Sequence, residues 1–256
     1  MPVQDLHVEE HGSGDTLLLH QGLGQGSWAW RYQVPVFAER FRVVVFDTRG
    51  TGRSAVPDAP YGIDDLADDA ARVLDGRPAH VVGFSMGGYV ALTLALAHPK
   101  LVRSLVLAGT GAGGLERVPR PDHVREVFEA ALALPPEEQR RMTLPYTFSS
   151  GWTEANPERF EKILAATLEH PTPIETIQAH MAACYRFYDQ GLEVERIDVP
   201  ALVVHGDEDL IVPVENGRML AQRLPNARYV ELAHRGHNAM LEDPDAFNAV
   251  VLGFFE

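Results

Sequence analysis

Three segments of the chain carry the residue types needed for nucleophilic catalysis, each in a glycine-rich setting. Ser85 is the centre of Gly83-Phe84-Ser85-Met86-Gly87, with Gly88 following; His205-Gly206-Asp207-Glu208-Asp209 holds three carboxylates; His234-Arg235-Gly236-His237-Asn238 holds two imidazoles. A serine hydroxyl is a weak nucleophile until a base takes its proton and an acid orients that base. The order serine, acid, histidine supplies such a set. Loops at the carboxyl ends of parallel strands can gather it at one sheet edge. The plainer reading of the first segment is a glycine-rich connector with an incidental serine. Its context argues against that, because an apolar strand ends at Phe84 and an apolar helix begins at Met86. A serine on so sharp a turn projects its hydroxyl away from the sheet, and the glycines two residues either side let strand and helix approach closely.

Other chemistries find little support. Gly22-x-Gly24-x-Gly26 lacks the third-glycine spacing and the ribose-binding acid of a dinucleotide fingerprint, and neither Lys100 nor Lys162 sits in a phosphate-binding loop. The eleven histidines show no His-Glu-x-x-His pattern, so neither a metal nor a cofactor is expected. Cys184 is the single cysteine; it cannot form an internal disulfide, excludes cysteine-based zinc and iron–sulfur sites, and reads as a small buried apolar side chain. With 36 acids against 22 bases the net charge is −14, which disfavours nucleic acid and anionic membranes as partners. The N-terminus lacks the basic and apolar regions of a signal peptide, and the longest apolar stretch, Tyr89 to Ala97, is far short of the ~20 residues that cross a bilayer. The expectation is a soluble, cytoplasmic protein, monomeric or homodimeric.

The elements that must position these residues follow from periodicity. Apolar runs at Thr16–His20, Arg42–Phe46, His80–Phe84, Ser104–Ala108, Ala201–His205 and Arg228–Leu232 read as strands. Asp64 to Leu74 sets Leu66, Ala70, Val73 and Leu74 on one helical stripe, with Asp65, Asp68, Asp69 and Arg72 elsewhere. Met86 to His98 is apolar nearly all round, as for a helix buried on a sheet; further helices are expected near Glu215–Arg223 and Pro244–Phe255. Strands alternating with helices imply an α/β fold with a mostly parallel, doubly wound sheet. The alternation breaks between residues 111 and 191, where helix-like pieces are punctuated by eight prolines. A helical insertion of roughly 80 residues explains the break, since a crossover needs far fewer. The expected organisation is one domain, residues 1–110 and 192–256 forming the core and 111–191 a helical lid.

Taken together, the elbow at Gly83–Gly87, the segment Asp47-Thr48-Arg49-Gly50-Thr51-Gly52-Arg53-Ser54, Gly206-x-x-Asp209 and Gly236-His237 resemble the α/β-hydrolase fold family over essentially the whole chain. The resemblance implies that Ser85 is the nucleophile, Asp209 the acid and His237 the base. Asp207 ranks next for the acid, and it and Glu208 otherwise read as solvated loop carboxylates. His234 competes with His237. The developing oxyanion needs preorganised N–H donors. The Met86 amide should be one, and the loop His20-Gln21-Gly22-Leu23-Gly24 should give the other. Gln21 interrupts the usual His-Gly pair, so alignment on Gly22-Leu23-Gly24 makes Leu23 the donor, while alignment on His20 shifts it toward Gly22. Asp47 and Arg49 are expected to tie loops together through a hydrogen-bonded ion pair.

The insertion is rich in aromatics, among them Phe128, Tyr146, Phe148, Trp152, Tyr185, Phe187 and Tyr188. As a lid it would build an apolar pocket, with Trp28, Tyr146, Phe148, Trp152 and Phe187 as the candidate lining, although any single one could instead pack the lid on the core. No ring of cationic side chains is evident for a polyanionic substrate. The implied activity is cofactor-free hydrolysis of a carboxylic ester or lactone of a small to medium, partly apolar substrate, as in esterases and enol-lactonases. Hydrolysis of carbon–carbon bonds or perhydrolysis would use the same three residues, and a non-enzymatic small-molecule receptor on this fold is the rival from another class.

Overall fold

The structure is a computed structural model, in which residues 2, 5–58 and 60–256 are described. Seven strands form one sheet: β1 (Val8–His11), β2 (Thr16–His20), β3 (Arg42–Phe46), β4 (Ala79–Phe84), β5 (Val102–Ala108), β6 (Ala201–Gly206) and β7 (Ala227–Leu232). Their spatial order is β1-β3-β2-β4-β5-β6-β7, with β1 antiparallel to β3 and every other neighbouring pair parallel. The longer helices are α1 (Ile63–Leu74), α2 (Met86–Ala97), α3 (Asp122–Ala131), α4 (Pro136–Thr143), α5 (Pro157–Glu169), α6 (Ile174–Gln190), α7 (Val214–Arg223) and α8 (Pro244–Phe254).

Period-2 alternation sends neighbouring side chains to opposite faces, and both faces here are covered. Leu18, Val44, Val81 and Leu105 join the core that α1 and α2 complete. Leu17, Leu19, Val82 and Val106 join the core completed by Trp30, Phe37 and, from α8, Phe247 and Val251. Helix α2 is buried from Met86 to Ala95, which is why its sequence is apolar on all sides. Asp69 departs from expectation: it lies off the apolar stripe of α1 yet is buried, because it receives Arg49 Nε at 2.7 Å. Arg49 therefore pairs with Asp69 rather than with Asp47, which instead accepts the backbone amides of Ser27 at 2.6 Å and Arg53 at 2.9 Å. Two acids, each with its own partner, replace the single expected ion pair.

Strand β1 gave no apolar run to detect, since it reads Val-Glu-Glu-His and is only partly buried. Its place rests on backbone pairing, Val8 with Phe46 and Glu10 with Val44, reinforced by Arg42 on the Glu10 carboxylate at 2.6–2.9 Å. Between β5 and β6, residues 111–191 contain helices α3 to α6 and no strand. The segment packs on both core layers: Phe148, Ile163 and Leu164 on one, Ala183, Cys184 and Phe187 on the other. Burial pushes the Cys184 thiol up to about 12, leaving it protonated and inert.

Candidate active site

Strand β2 is the point at which the sheet reverses its winding, with β3 on one side and β4 on the other. Crevices at the carboxyl ends of such strands hold ligands, and the loops after β2 and β4 both open there. Ser85 occupies the turn from β4 to α2 with φ of 54° and ψ of −118°, a left-handed conformation that costs a non-glycine residue of order 1–3 kcal/mol. The surroundings hold it there: its amide donates to the Ala108 carbonyl at 2.9 Å, and its carbonyl accepts from Thr110 Oγ1 at 2.9 Å. A Cβ on Gly83 would strike the Gly87 carbonyl, and one on Gly87 would strike the His20 carbonyl. Both obstacles are backbone, so glycine at 83 and 87 is a packing requirement of the turn.

The loop after β6 delivers Asp209 and the loop after β7 delivers His237. His237 Nδ1 donates to Asp209 Oδ2 at 2.7 Å, and Nε2 faces Ser85 Oγ at 3.0 Å, where it accepts the hydroxyl proton. Asp209 Oδ1 accepts the amides of Ile211 at 2.8 Å and Val212 at 2.9 Å, and His205 Nε2 lies 3.2 Å from Oδ2. Burial alone would raise this carboxyl; its electrostatic interaction and hydrogen bonds with His237 and His205 outweigh that and hold Asp209 well below the usual carboxylate range. Such an arrangement can move a proton from serine to imidazole beside a fixed negative charge. The competitors lie elsewhere. Asp207 caps the Arg235 amide at 3.4 Å, Glu208 accepts the Ser150 amide at 2.9 Å, and His234 is exposed with its ring toward Glu208.

Gly22 and Gly24, the amides flanking Leu23, are both engaged: Gly22 N–H donates to Gln25 Oε1 at 3.1 Å and Gly24 N–H to His180 Nδ1 at 3.2 Å. The Gly24 carbonyl accepts from Thr172 Oγ1 at 3.0 Å and Arg140 Nη2 at 3.2 Å. Helices α4 and α6 and the turn between α5 and α6 thus fix the loop after β2, a dependence the sequence did not disclose. Sequence reasoning also missed Glu242. This buried carboxylate accepts the Ser149 and Gly236 amides at 3.1 and 2.9 Å, joining the segment after α4 to the loop that carries His237.

A cavity of about 300 Å³ opens on Ser85 and His237, with Leu23 and Met86 in its wall. Its aromatic lining is Phe84, Tyr89, Phe128, Tyr185 and Tyr188. None of Trp28, Tyr146, Phe148, Trp152 and Phe187 lines it. Phe148 stacks on Trp152 at 4.3 Å and Phe187 on Tyr89 at 4.4 Å, while Trp28 and Tyr146 pack against core side chains. Phe148, Trp152 and Phe187 pack the insertion onto the core, while Phe128, Tyr185 and Tyr188 of the same insertion face the cavity. Four arginines that the sequence did not mark as neighbours, Arg117, Arg120, Arg125 and Arg140, also reach the wall. Among the described residues no group of three or more potential ligands could hold a metal, and no helix is long and apolar enough to cross a membrane.

Two buried histidines near the loop after β2 set an acid limit on stability. Burial lowers His20 and His180 to about 4, while the unfolded chain protonates near ~6.5. Their neutral forms are therefore favourable above that range, and stability is lost as pH falls, by about 2 kcal/mol per imidazole at pH 5. Chemical denaturation midpoints at pH 7.5 and pH 5 measure this; equal midpoints would show that neither imidazole is held neutral.

The α/β-hydrolase fold profile matches residues 15–244. A protein from Azorhizobium caulinodans provisionally named a carbamate hydrolase, RutD, is 34% identical over 98% of this chain and 94% of its own length. The crystal structure of an enol-lactonase from Burkholderia xenovorans LB400 superposes with a TM-score of 0.84 at 30% identity, covering 98% of this chain and 96% of that one. A thermophilic esterase from Thermogutta terrifontis gives a TM-score of 0.82 at 26% identity, covering 98% and 92%.

Proposed function

The chain belongs to the α/β-hydrolase fold family, and on that premise we propose that it is a cofactor-free serine hydrolase of a carboxylic ester or lactone. The observation that carries this is the unbroken chain of hydrogen bonds from Asp209 through His237 to Ser85, with Ser85 and His237 in the wall of the cavity. Ser85 Oγ attacks the carbonyl carbon as its proton passes to His237 Nε2, and Asp209 stabilises the imidazolium. The carbonyl oxygen becomes an oxyanion held by the amides of Met86 and Leu23; Gly22 is the weaker choice because its amide already serves Gln25. The tetrahedral intermediate collapses, His237 protonates the departing alkoxide, and an acyl ester on Ser85 is left. Water then gives a proton to His237, attacks that ester, and releases the acid and the free serine.

Residues 1–110 and 192–256 serve in this reading as the catalytic core and 111–191 as a lid. The contacts of His180, Thr172 and Arg140 with Gly24 support it, since they make the insertion a part of the oxyanion loop's scaffold. Fold alone does not select the acyl compound. The enol-lactonase and esterase likenesses favour lactones and esters, and the RutD relatives favour a carbamate as a second substrate class for the same steps. The test is a panel of 4-nitrophenyl acetate and butyrate, five- and six-membered lactones and an alkyl carbamate, with quenched samples digested for mass analysis. Turnover of an ester or lactone and an acyl mass on the Ser85 peptide are expected. Background rates throughout and no adduct would favour the receptor reading.

A further inference from the structure

Four arginines, Arg117, Arg120, Arg125 and Arg140, and one acid, Asp122, line the cavity of a chain whose net charge is −14. Among the described residues only Arg125 of the four has a carboxylate partner. Arg125 pairs with Asp122 at 3.2 Å and Glu129 at 3.0 Å. Arg117 and Arg120 lie over the rings of Tyr188 and Phe128 at 4.7 and 4.6 Å, and Arg120 Nε also donates to the Ile211 carbonyl. Arg140 differs. Its protein acceptor is the Gly24 carbonyl at 3.2 Å, and among the described residues no carboxylate comes within ion-pair distance. A guanidinium presents five N–H donors in a rigid fork suited to a carboxylate, so most of this fork has no protein acceptor. Burial pulls its pKa below the ordinary arginine value, and a charge so placed is unfavourable unless a ligand supplies the counter-charge. Arg140 touches the residue next to Leu23, the proposed oxyanion donor, and lines the same cavity as Leu23 and Ser85.

We propose that Arg140 anchors a carboxylate of the substrate, making the natural substrate an ester or lactone that is anionic at neutral pH, with its acid group a few bonds from the scissile carbonyl. Arg117 and Arg120 reinforce the positive potential that draws such a molecule in against the overall charge of the protein. This inference rests on the hydrolase reading for its chemistry but not for its binding test.

Two pairs of esters, each setting an anion against a neutral counterpart, decide the matter. 4-Nitrophenyl hemisuccinate against 4-nitrophenyl pentanoate places the acid on the acyl side; 4-carboxyphenyl acetate against phenyl acetate places it on the leaving-group side. The wild-type enzyme should prefer the acid of one pair, and Arg140→Gln should cut that preference about ten- to a hundredfold through KM, with Arg140→Lys keeping part of it. No preference for either acid, or a parallel fall in kcat on acid and neutral esters alike, would overturn the proposal; the second result would confine Arg140 to holding Gly24. Calorimetry on Ser85→Ala needs no turnover. Monomethyl glutarate should bind and dimethyl glutarate should not, and adding Arg140→Gln should abolish the difference. Absence of catalysis with this binding intact would sink the hydrolase reading alone; equal binding of acid and diester would sink the carboxylate anchor.

Discussion

Ser85→Ala is expected to lower turnover of an ester substrate by about four to six orders of magnitude, the range seen when a serine nucleophile is removed from a hydrogen-bonded triad. The reason is local. Ser85 Oγ is the atom that His237 Nε2 faces at 3.0 Å, and alanine leaves nothing in its place to bond to the acyl carbon. The fold should survive. Alanine keeps the Cβ, and the backbone of the turn is held by Ala108 and Thr110 through main-chain atoms that the substitution leaves intact. Steady-state rates beside a thermal melt provide the check. A loss of less than about tenfold with a normal melt would show that another group attacks the substrate.

Asp209→Asn should cost about three to four orders of magnitude in kcat with a much smaller change in KM. The amides of Ile211 and Val212 donate to one carboxylate oxygen, so an asparagine must turn its own oxygen toward them. Its NH2 then faces His237 Nδ1, where Oδ2 had accepted a hydrogen bond at 2.7 Å. The imidazole responds by carrying its proton on Nε2 and presenting an N–H to Ser85, in the tautomer that cannot accept the hydroxyl proton. The charge that steadies the imidazolium is lost as well. Kinetics on a 4-nitrophenyl ester measure both constants. A KM effect without a kcat effect would mean that Asp209 shapes the loop and does not orient the base.

Much of this architecture was legible because short-range physics writes it into the chain. Glycines at 83 and 87 are needed wherever a strand and a helix meet at so sharp a turn, and the all-round apolarity of α2 follows from its burial. The central strands announce themselves because both of their faces are covered. Strand β1 did not, since an edge strand with a solvated face needs no apolar pattern. His234 and His237 are equivalent by type. They separate only because the chain at His234 adopts a φ of 55° and leaves that ring exposed, while His237 turns inward to Asp209.

The cavity beside Ser85 was the least legible part. An aromatic side chain gains as much by packing one helix on another as by lining a pocket, so Phe148, Trp152 and Phe187 gave no sign of their use. Net charge was equally silent, because a sum over the chain does not report which charges lose their partners. Arg125 and Arg140 are the same residue type, yet one has Asp122 and Glu129 beside it and the other has a glycine carbonyl. The sequence by itself determined the parallel α/β sheet, the elbow at Ser85 and the residues from which the acid and base would come, since each depends on neighbours within a few positions. Tertiary structure alone decided which acid and histidine face Ser85, what lines the cavity and which of its arginines lack a carboxylate partner among the described residues, because those depend on distances between residues far apart in the chain.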